Sequence, residues 1–433
     1  MNTKIESKND LMLKKITLYA LFVFGVGASF YFYDFVLQVS PSIMTQQLMH
    51  GFDASASLLG FSIGLYYLTY TIMQVPAGLV IEQFRIKFVL TVMITCCALG
   101  ALMFGWAPNI YLIGLGRLLM GAGSAFAFLA TLYLVLQWLP PTLFPLFSGI
   151  TQTLGSLGAA GGIGPMKHMI HALGWRCAMI VLGALGLLLA IVTLFTVTEN
   201  QSPKTSHIKH QFKQMCQNFV DTFKNRQTLP ISVFAFCIWG PIVGFAALWG
   251  VKYLQTAYQL NSTQAGWGIT LIWLSMAVVC PISGWLSQFI KRRKIFLLSY
   301  SFLGFLATLD LLINLNQPTW LVMFALVILG FAGATQSLTF AIITDNQPSH
   351  LTSAAHGFNN MMLVIGGFIF QSLIGFLLDT FWQGQMLHGH RVYSTSTFQL
   401  SLLILPILYL TAFIICLLFI RETSCSLHQH EQK

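Results

Sequence analysis

The 433 residues are 56% apolar and 8% charged, with a mean hydropathy of +0.74. A soluble domain carries about 25% charged residues, so the composition excludes a water-soluble globule and points to a chain largely immersed in lipid. The net charge of +10 is spread between apolar runs, which argues against a nucleic-acid-binding patch.

The N-terminus, MNTKIESKND, is short and polar and lacks a small-residue cleavage pattern, so the first apolar run is expected to stay as a helix. An apolar helix of ~20 residues crosses a hydrocarbon core of ~30 Å. Such runs are predicted near 16–39, 57–80, 88–106, 109–134, 145–166, 176–197, 230–254, 264–290, 295–315, 319–344, 354–379 and 397–420. The pattern predicts an all-α membrane protein of twelve transmembrane helices in two six-helix bundles. The first bundle spans 1–197, a basic linker 198–229, and the second bundle with a short tail 230–433. Two such blocks form the layout of an alternating-access transporter. In the linker, Phe212, Met215, Phe219, Val220 and Phe223 recur at helical spacing, which predicts a short amphipathic helix along the membrane face.

With the N-terminus inside, 17 of the 22 Lys and Arg residues fall on cytoplasmic segments. Lys167, Arg176, Lys252 and Arg391 fall outside, and Arg117 lies within a span. The positive-inside rule then puts both termini and the linker in the cytoplasm, expected here to be that of a bacterium, with the chain in its inner membrane. The eight cysteines show no ligand spacing, so free thiols and no metal site are expected. His168 and His171 are read as a solvated helix end. No enzyme signature, cofactor motif or ATP-binding loop is present, so the energy source is expected to be an ion gradient, with sodium as the alternative to protons.

The two halves echo each other. GLVIEQFRIK begins at Gly78 and GWLSQFIKRRK at Gly284, each closing the second span of its half. Glycine lets helices approach closely. The residues that follow, Glu82, Arg85 and Lys87 in one copy and Gln288, Arg292 and Arg293 in the other, are placed to hold a cytoplasmic gate. In this repeat, in the fourth span's GRLLMGAG (Arg117, Gly121) and in the glycine-rich fifth span, the chain resembles the major facilitator superfamily over essentially its whole length. Its gate copies depart from the family pattern, with Gln83 for the first basic residue, Arg85 where glycine is usual and Gln288 where an acid is common. Gly164-Pro165 lacks the trailing glycines of a drug-antiporter element. YFYDFVLQVSPSIM, GFAALWGVKYL and HGFNNMMLVIGGFIFQSLIGFLLD are similar to a bacterial branch of phagosomal nutrient transporters.

An ionisable group inside a span is costly and so a functional candidate. Asp34 in the first span and Arg117 in the fourth sit at similar depth. The resemblance implies that both spans line a central cavity. The two are expected to pair, to grip a zwitterion, or to carry a proton on Asp34. Tyr33, Gln152, Trp239, Trp249, Gln336, Asn359 and Asn360 are the remaining candidate binding residues, since pockets are mostly apolar with a few placed polar groups. Asp345 and Asp379 read as solvated helix ends, and Asp310 as an interfacial group.

Together these features predict a secondary transporter, acting as a monomer, for proton-linked import of a small organic solute. Amino acids come first, nucleosides or carboxylates next. Efflux of a drug or siderophore-like chelator is the rival reading, and a non-transporting nutrient sensor on the same fold the third.

Overall fold

In lipid every backbone N–H and C=O must be satisfied internally, which leaves the helix as the spanning element for these apolar runs. The computed structural model describes residues 17–140, 143–198, 217–387 and 389–425, apart from the side chains of Glu82, Pro145 and Ser349. The first half holds α1 (Leu18–Val39), a 3-10 turn (Ser40–Ile43), α2 (Thr45–Phe52), α3 (Ala56–Gln83), α4 (Ile86–Trp106), α5 (Ile110–Ser124), α6 (Ala127–Trp138), α7 (Phe144–Gly161) and α8 (Gly164–Thr196). The second half holds α9 (Thr228–Gly244), a π-helical turn (Phe245–Trp249), α10 (Gly250–Ala257), α11 (Ser262–Ile290), α12 (Lys294–Ile313), α13 (Thr319–Asn346) and α14 (Ser349–Thr380). A small hairpin of β1 (Met386–Leu387) and β2 (His390–Arg391) follows, then α15 (Thr395–Leu402) and α16 (Ile404–Phe419).

Local chemistry fixes several ends. The Thr17 and Ser55 hydroxyls cap α1 and α3 by accepting from Ala20 N and Leu58 N. Asn261 and Gln264 form a capping box at α11.

Among the described residues, eleven stretches are long and apolar enough to cross a membrane. One of them, Leu146–Thr196, has 51 residues, about 75 Å of helix at 1.5 Å per residue. It breaks at Gly174, whose φ of 79° and ψ of 158° suit glycine in a way a side-chain-bearing residue would not. Counting the two sides of that break separately is consistent with twelve crossings, arranged as two six-helix bundles.

The bundles meet along α3 against α14 and α7 against α11, with the turn after α1 against the π-helical turn. One end of the assembly, the hairpin face, carries α2 and the β-hairpin. The other, the basic face, carries the ends of α3 and α11 with Arg85, Lys87, Arg292 and Arg293. The linker helix expected from Phe212 to Phe223 falls partly outside the described residues. Its described end packs Phe219 and Phe223 edge-to-face on Phe358 of α14, at 5.7 and 4.7 Å between ring centroids.

Candidate functional site

Arg117 and Asp34 lie in the middle of the first bundle with 0% and 1% of their surface exposed. The expected direct pair is replaced by a three-residue arrangement. The Tyr66 hydroxyl of α3 donates to Asp34 Oδ1, and its ring lies 4.5 Å beneath the Arg117 guanidinium carbon. Arg117 Nε donates to Ile63 O at 3.1 Å, Nη1 to Leu37 O at 2.8 Å and Nη2 to Gln38 O at 3.5 Å. The Leu37 and Gln38 carbonyls close the last turn of α1, where acceptors lack helical partners and the helix dipole favours a cation. Arg117 therefore ties α1, α3 and α5 together through backbone carbonyls, and Tyr66 stands where sequence spacing suggested a salt bridge. Nothing in the one-dimensional context of this tyrosine separates it from Tyr67 and Tyr70.

Toward the centre of the molecule lies a set of buried polar atoms without hydrogen-bond partners. Gln38 Oε1, Tyr67 OH and Gln371 Oε1 converge from α1, α3 and α14. The Gln371 amide is oriented by its Nε2, which donates to Val243 O at 3.2 Å. Gln336 Nε2 in α13, Asn359 Oδ1 in α14 and Trp273 Nε1 in α11 complete the set. Native interiors leave few polar groups unpaired, so each unpaired group calls for an explanation such as a functional role or a bridging water. An aromatic row crosses between the bundles here. Tyr31 packs on Phe35 at 5.0 Å, Phe35 on Trp273 at 6.2 Å and Trp273 on Trp239 at 6.0 Å.

The sequence candidates divide on this geometry. Gln152 accepts from the Tyr31 hydroxyl at 3.1 Å, Trp239 packs on Trp273 in the aromatic row, and Gln336 and Asn359 are buried in the second bundle, Asn359 Nδ2 donating to Thr339 Oγ1 at 2.9 Å. Asn360 is half-buried beside it. Tyr33 instead faces α8, its hydroxyl donating to Leu182 O at 3.0 Å. Trp249 sits in the hairpin-face seal, donating to Gln371 O at 3.1 Å. Trp273 and Gln38 were not among the residues the sequence singled out. An unpaired polar atom at a helix interface is invisible in a sequence.

The interface is closed on the hairpin face. A Cβ at Gly60 would stand 2.3 Å from Gln371 O, and one at Gly375 2.3 Å from Ala56 O, so backbones of opposite bundles touch there. Cross-bundle hydrogen bonds reinforce the contact: Lys252 Nζ to Gln46 Oε1 at 3.0 Å, Lys167 Nζ to Thr263 Oγ1 at 2.7 Å, and Thr45 Oγ1 to Leu248 O at 3.2 Å. The last engages a carbonyl in the π-helical turn that follows Pro241. On the basic-face halves of the same interface helices, the positions beside Gly78, Gly149, Gly284 and Gly357 are open, with no atom within 4 Å of a Cβ there.

Lys87 lies over Phe88, and Gln288 and Arg292 are exposed. Arg293 pairs with Asp345 at 2.8 Å inside the second bundle. The role expected of Glu82 concerns a side chain outside those described. Asp345 is buried and also accepts from Thr423 Oγ1 at 2.6 Å, which corrects its reading as a solvated helix end.

Comparison with known proteins accords with this architecture. A model of the Major Facilitator Superfamily matches residues 17–370 and 242–429. The chain is 24% identical over 371 residues to the uncharacterized transporter YybO of Bacillus subtilis, covering 79% of this chain and 83% of that one. It is 22% identical over 398 residues to the probable L-galactonate transporter of Escherichia coli, covering 85% and 84%. A bacterial homologue of the human lysosomal transporter Spinster, solved inward-facing and occupied, superposes with a TM-score of 0.72 at 14% identity, over 93% of this chain and 97% of the other.

Proposed function

The chain belongs to the Major Facilitator Superfamily, and from that premise we propose that it imports a small organic acid bearing hydroxyl or amino groups, by alternating access and with a coupled proton. It is a multi-pass membrane transporter of small solutes and not an enzyme. The two units that alternate are the sequence halves 1–197 and 230–433, with 198–229 as the linker between them. The basic face is cytoplasmic by the positive-inside rule, and the membrane is the inner membrane of a bacterium. In this orientation the arrangement is inward-facing.

One observation carries the reading. The helices that close on the hairpin face stand apart on the basic face, and unpaired amide, hydroxyl and indole groups lie at the level where the two regimes meet. A solute arriving there meets donors and acceptors from both bundles, several of whose polar atoms have no hydrogen-bond partner of their own. Amino acids and sugar acids share the α-substituted carboxylate such a set suits, and the L-galactonate relative favours the class. The bond between Asp34 and Tyr66 gives the proton a place. A protonated Asp34 would release its hold on Tyr66 and, through the stacked ring, on Arg117. Rearrangement of Arg117 would free its guanidinium for the solute carboxylate.

The test is uptake into proteoliposomes with an imposed pH gradient, across amino acids, sugar acids, nucleosides and lipophilic cations. Concentrative uptake of one α-substituted acid, abolished by a protonophore, is expected. Transport of nucleosides alone, or expulsion of lipophilic cations alone, would overturn the substrate class.

A further inference from the structure

The most heavily bonded carboxylate that bridges the two bundles belongs to neither the midplane set nor the repeated gate segments. Asp379 ends α14 on the hairpin face, and its acceptors are used on both oxygens. Oδ2 accepts from Ser57 N at 2.8 Å and Ser57 Oγ at 2.5 Å. Oδ1 accepts from Ala56 N at 3.3 Å, Tyr393 OH at 2.5 Å and Arg391 Nη1 at 3.3 Å. Ala56 and Ser57 are the first two residues of α3, in the opposite bundle. The N–H groups of a first helical turn have no partner in their own helix, and a negative charge is favoured there. Tyr393 contributes twice, since its hydroxyl also accepts from Ala56 N at 3.2 Å. The β-hairpin, turned through Gly384 and Gly389 at positive φ, brings Arg391 and Tyr393 over the carboxylate. Next to this cluster lies the backbone contact at Gly375 and Ala56.

We propose that Asp379 is a latch of the hairpin-face gate, a cap supplied by one bundle to the second helix of the other, whose making and breaking sets the balance between the inward-facing and outward-facing states. The inference rests on the alternating-access reading. In the outward-facing state α3 and α14 separate on this face, and the carboxylate loses both α3 amides and the Ser57 hydroxyl together. Tyr393 and Arg391 travel with Asp379 on their own bundle and keep the charge solvated and paired. The latch therefore opens without stranding a bare carboxylate. An amide cannot replace it. An asparagine oxygen can face Ser57 or the Tyr393 side, but its NH2 then points at donors on the other.

The experiment places spin labels at Gly51→Cys and Gln385→Cys, exposed sites on opposite bundles of this face, in full-length protein with native cysteines replaced and reconstituted in nanodiscs. Electron–electron distances are read for the parent, Asp379→Asn, Tyr393→Phe and the prying control Gly375→Val. Asp379→Asn is expected to raise the long-distance population relative to the short one about tenfold, as loss of charged hydrogen bonds implies, with Tyr393→Phe intermediate. If Gly375→Val widens the face while Asp379→Asn leaves the distribution unchanged, the latch is overturned and alternating access stands. If neither variant widens it, both readings fall. A fall in thermal stability of Asp379→Asn without any long-distance population would assign Asp379 a purely structural part and would also overturn the latch.

Discussion

The two ends of α3 and α14 teach different things. Toward the hairpin face these helices touch backbone to backbone through Gly60 and Gly375, and Gly367 lies against the Tyr67 ring. Toward the basic face, Gly78 and Gly357 on the same two helices have nothing opposite them. The residue type is the same and the consequence is opposite. Glycine on a membrane helix permits close approach, and which glycines are in contact depends on the state of the molecule. On the proposed alternating-access reading, the glycines facing open space are a second surface for the state in which the basic face closes.

The contrast is broken most severely by filling the closed surface. Gly60→Val or Gly375→Val puts a side chain where a Cβ alone meets a carbonyl oxygen at 2.3 Å. The hairpin face should then fail to close, and concentrative uptake should fall below about 1% of the parent, since overpacking costs ~1–3 kcal/mol or more. Gly78→Val, with open space around it, should leave the inward-facing arrangement intact while slowing the return to the outward-facing one. Equal effects of the two substitutions in a transport assay would dissolve the comparison.

Next in size is Arg117→Ala. It strips the Leu37 and Ile63 carbonyls of a charged donor and leaves Asp34 buried without its nearby cation. Each orphaned buried group costs about 1–3 kcal/mol, so the melting temperature should drop by several degrees and transport should be lost. Arg117→Lys should recover part of the stability without recovering transport, because one ammonium cannot serve three carbonyls in that fixed fork. Full transport by either variant would remove Arg117 from the mechanism. Asp34→Asn tests coupling at the same place. Solute exchange should survive while accumulation driven by a proton gradient disappears, and a mutant that still concentrates solute would exclude Asp34 as the proton carrier.

Smaller effects should come from groups outside the central set. Tyr33→Phe loses a single hydrogen bond to Leu182 O, worth about 1 kcal/mol net, and should change uptake less than about twofold. The smallest is a pH effect on the hairpin face. His50 stacks on His390 at 4.4 Å across the bundles, with Lys252 nearby and Asp53 3.9 Å from His390. Burial, then His390 and Lys252, lower the pKa of His50 from its ordinary value of 6.5. The closed face therefore binds fewer protons at His50 than the separated face, so closure is favoured at higher pH and weakened as pH falls below about 6.5. Hairpin-face distances at pH 5.5 and 7.5 should differ slightly in that direction, and His50→Gln should abolish the difference.

Much of the architecture was legible in the chain because its signals are local. Twenty-residue apolar runs, the basic stretch after the sixth and the charge asymmetry read directly as spans and halves. The repeat at Gly78 and Gly284 carried the family. The site was legible only in outline. Asp34 and Arg117 stand out because charge inside an apolar run is conspicuous, yet their relation is decided by Tyr66, one of three tyrosines within five residues. Asp379 and Asp345 looked like solvated ends because each ends a helix, and what buries them comes from chain segments far away in sequence.

Sequence by itself determined that this chain is a two-part helical membrane protein, because lipid leaves an apolar backbone no other way to satisfy its hydrogen bonds. The tertiary structure alone decided which polar groups are spent on holding helices together, as Arg117 and Tyr33 are, and which keep an unpartnered atom in the interior, as Gln336, Asn359 and Trp273 do. That distinction depends on which atoms meet across helices. Helical periodicity gives a residue's face but not what the neighbouring helix places against it.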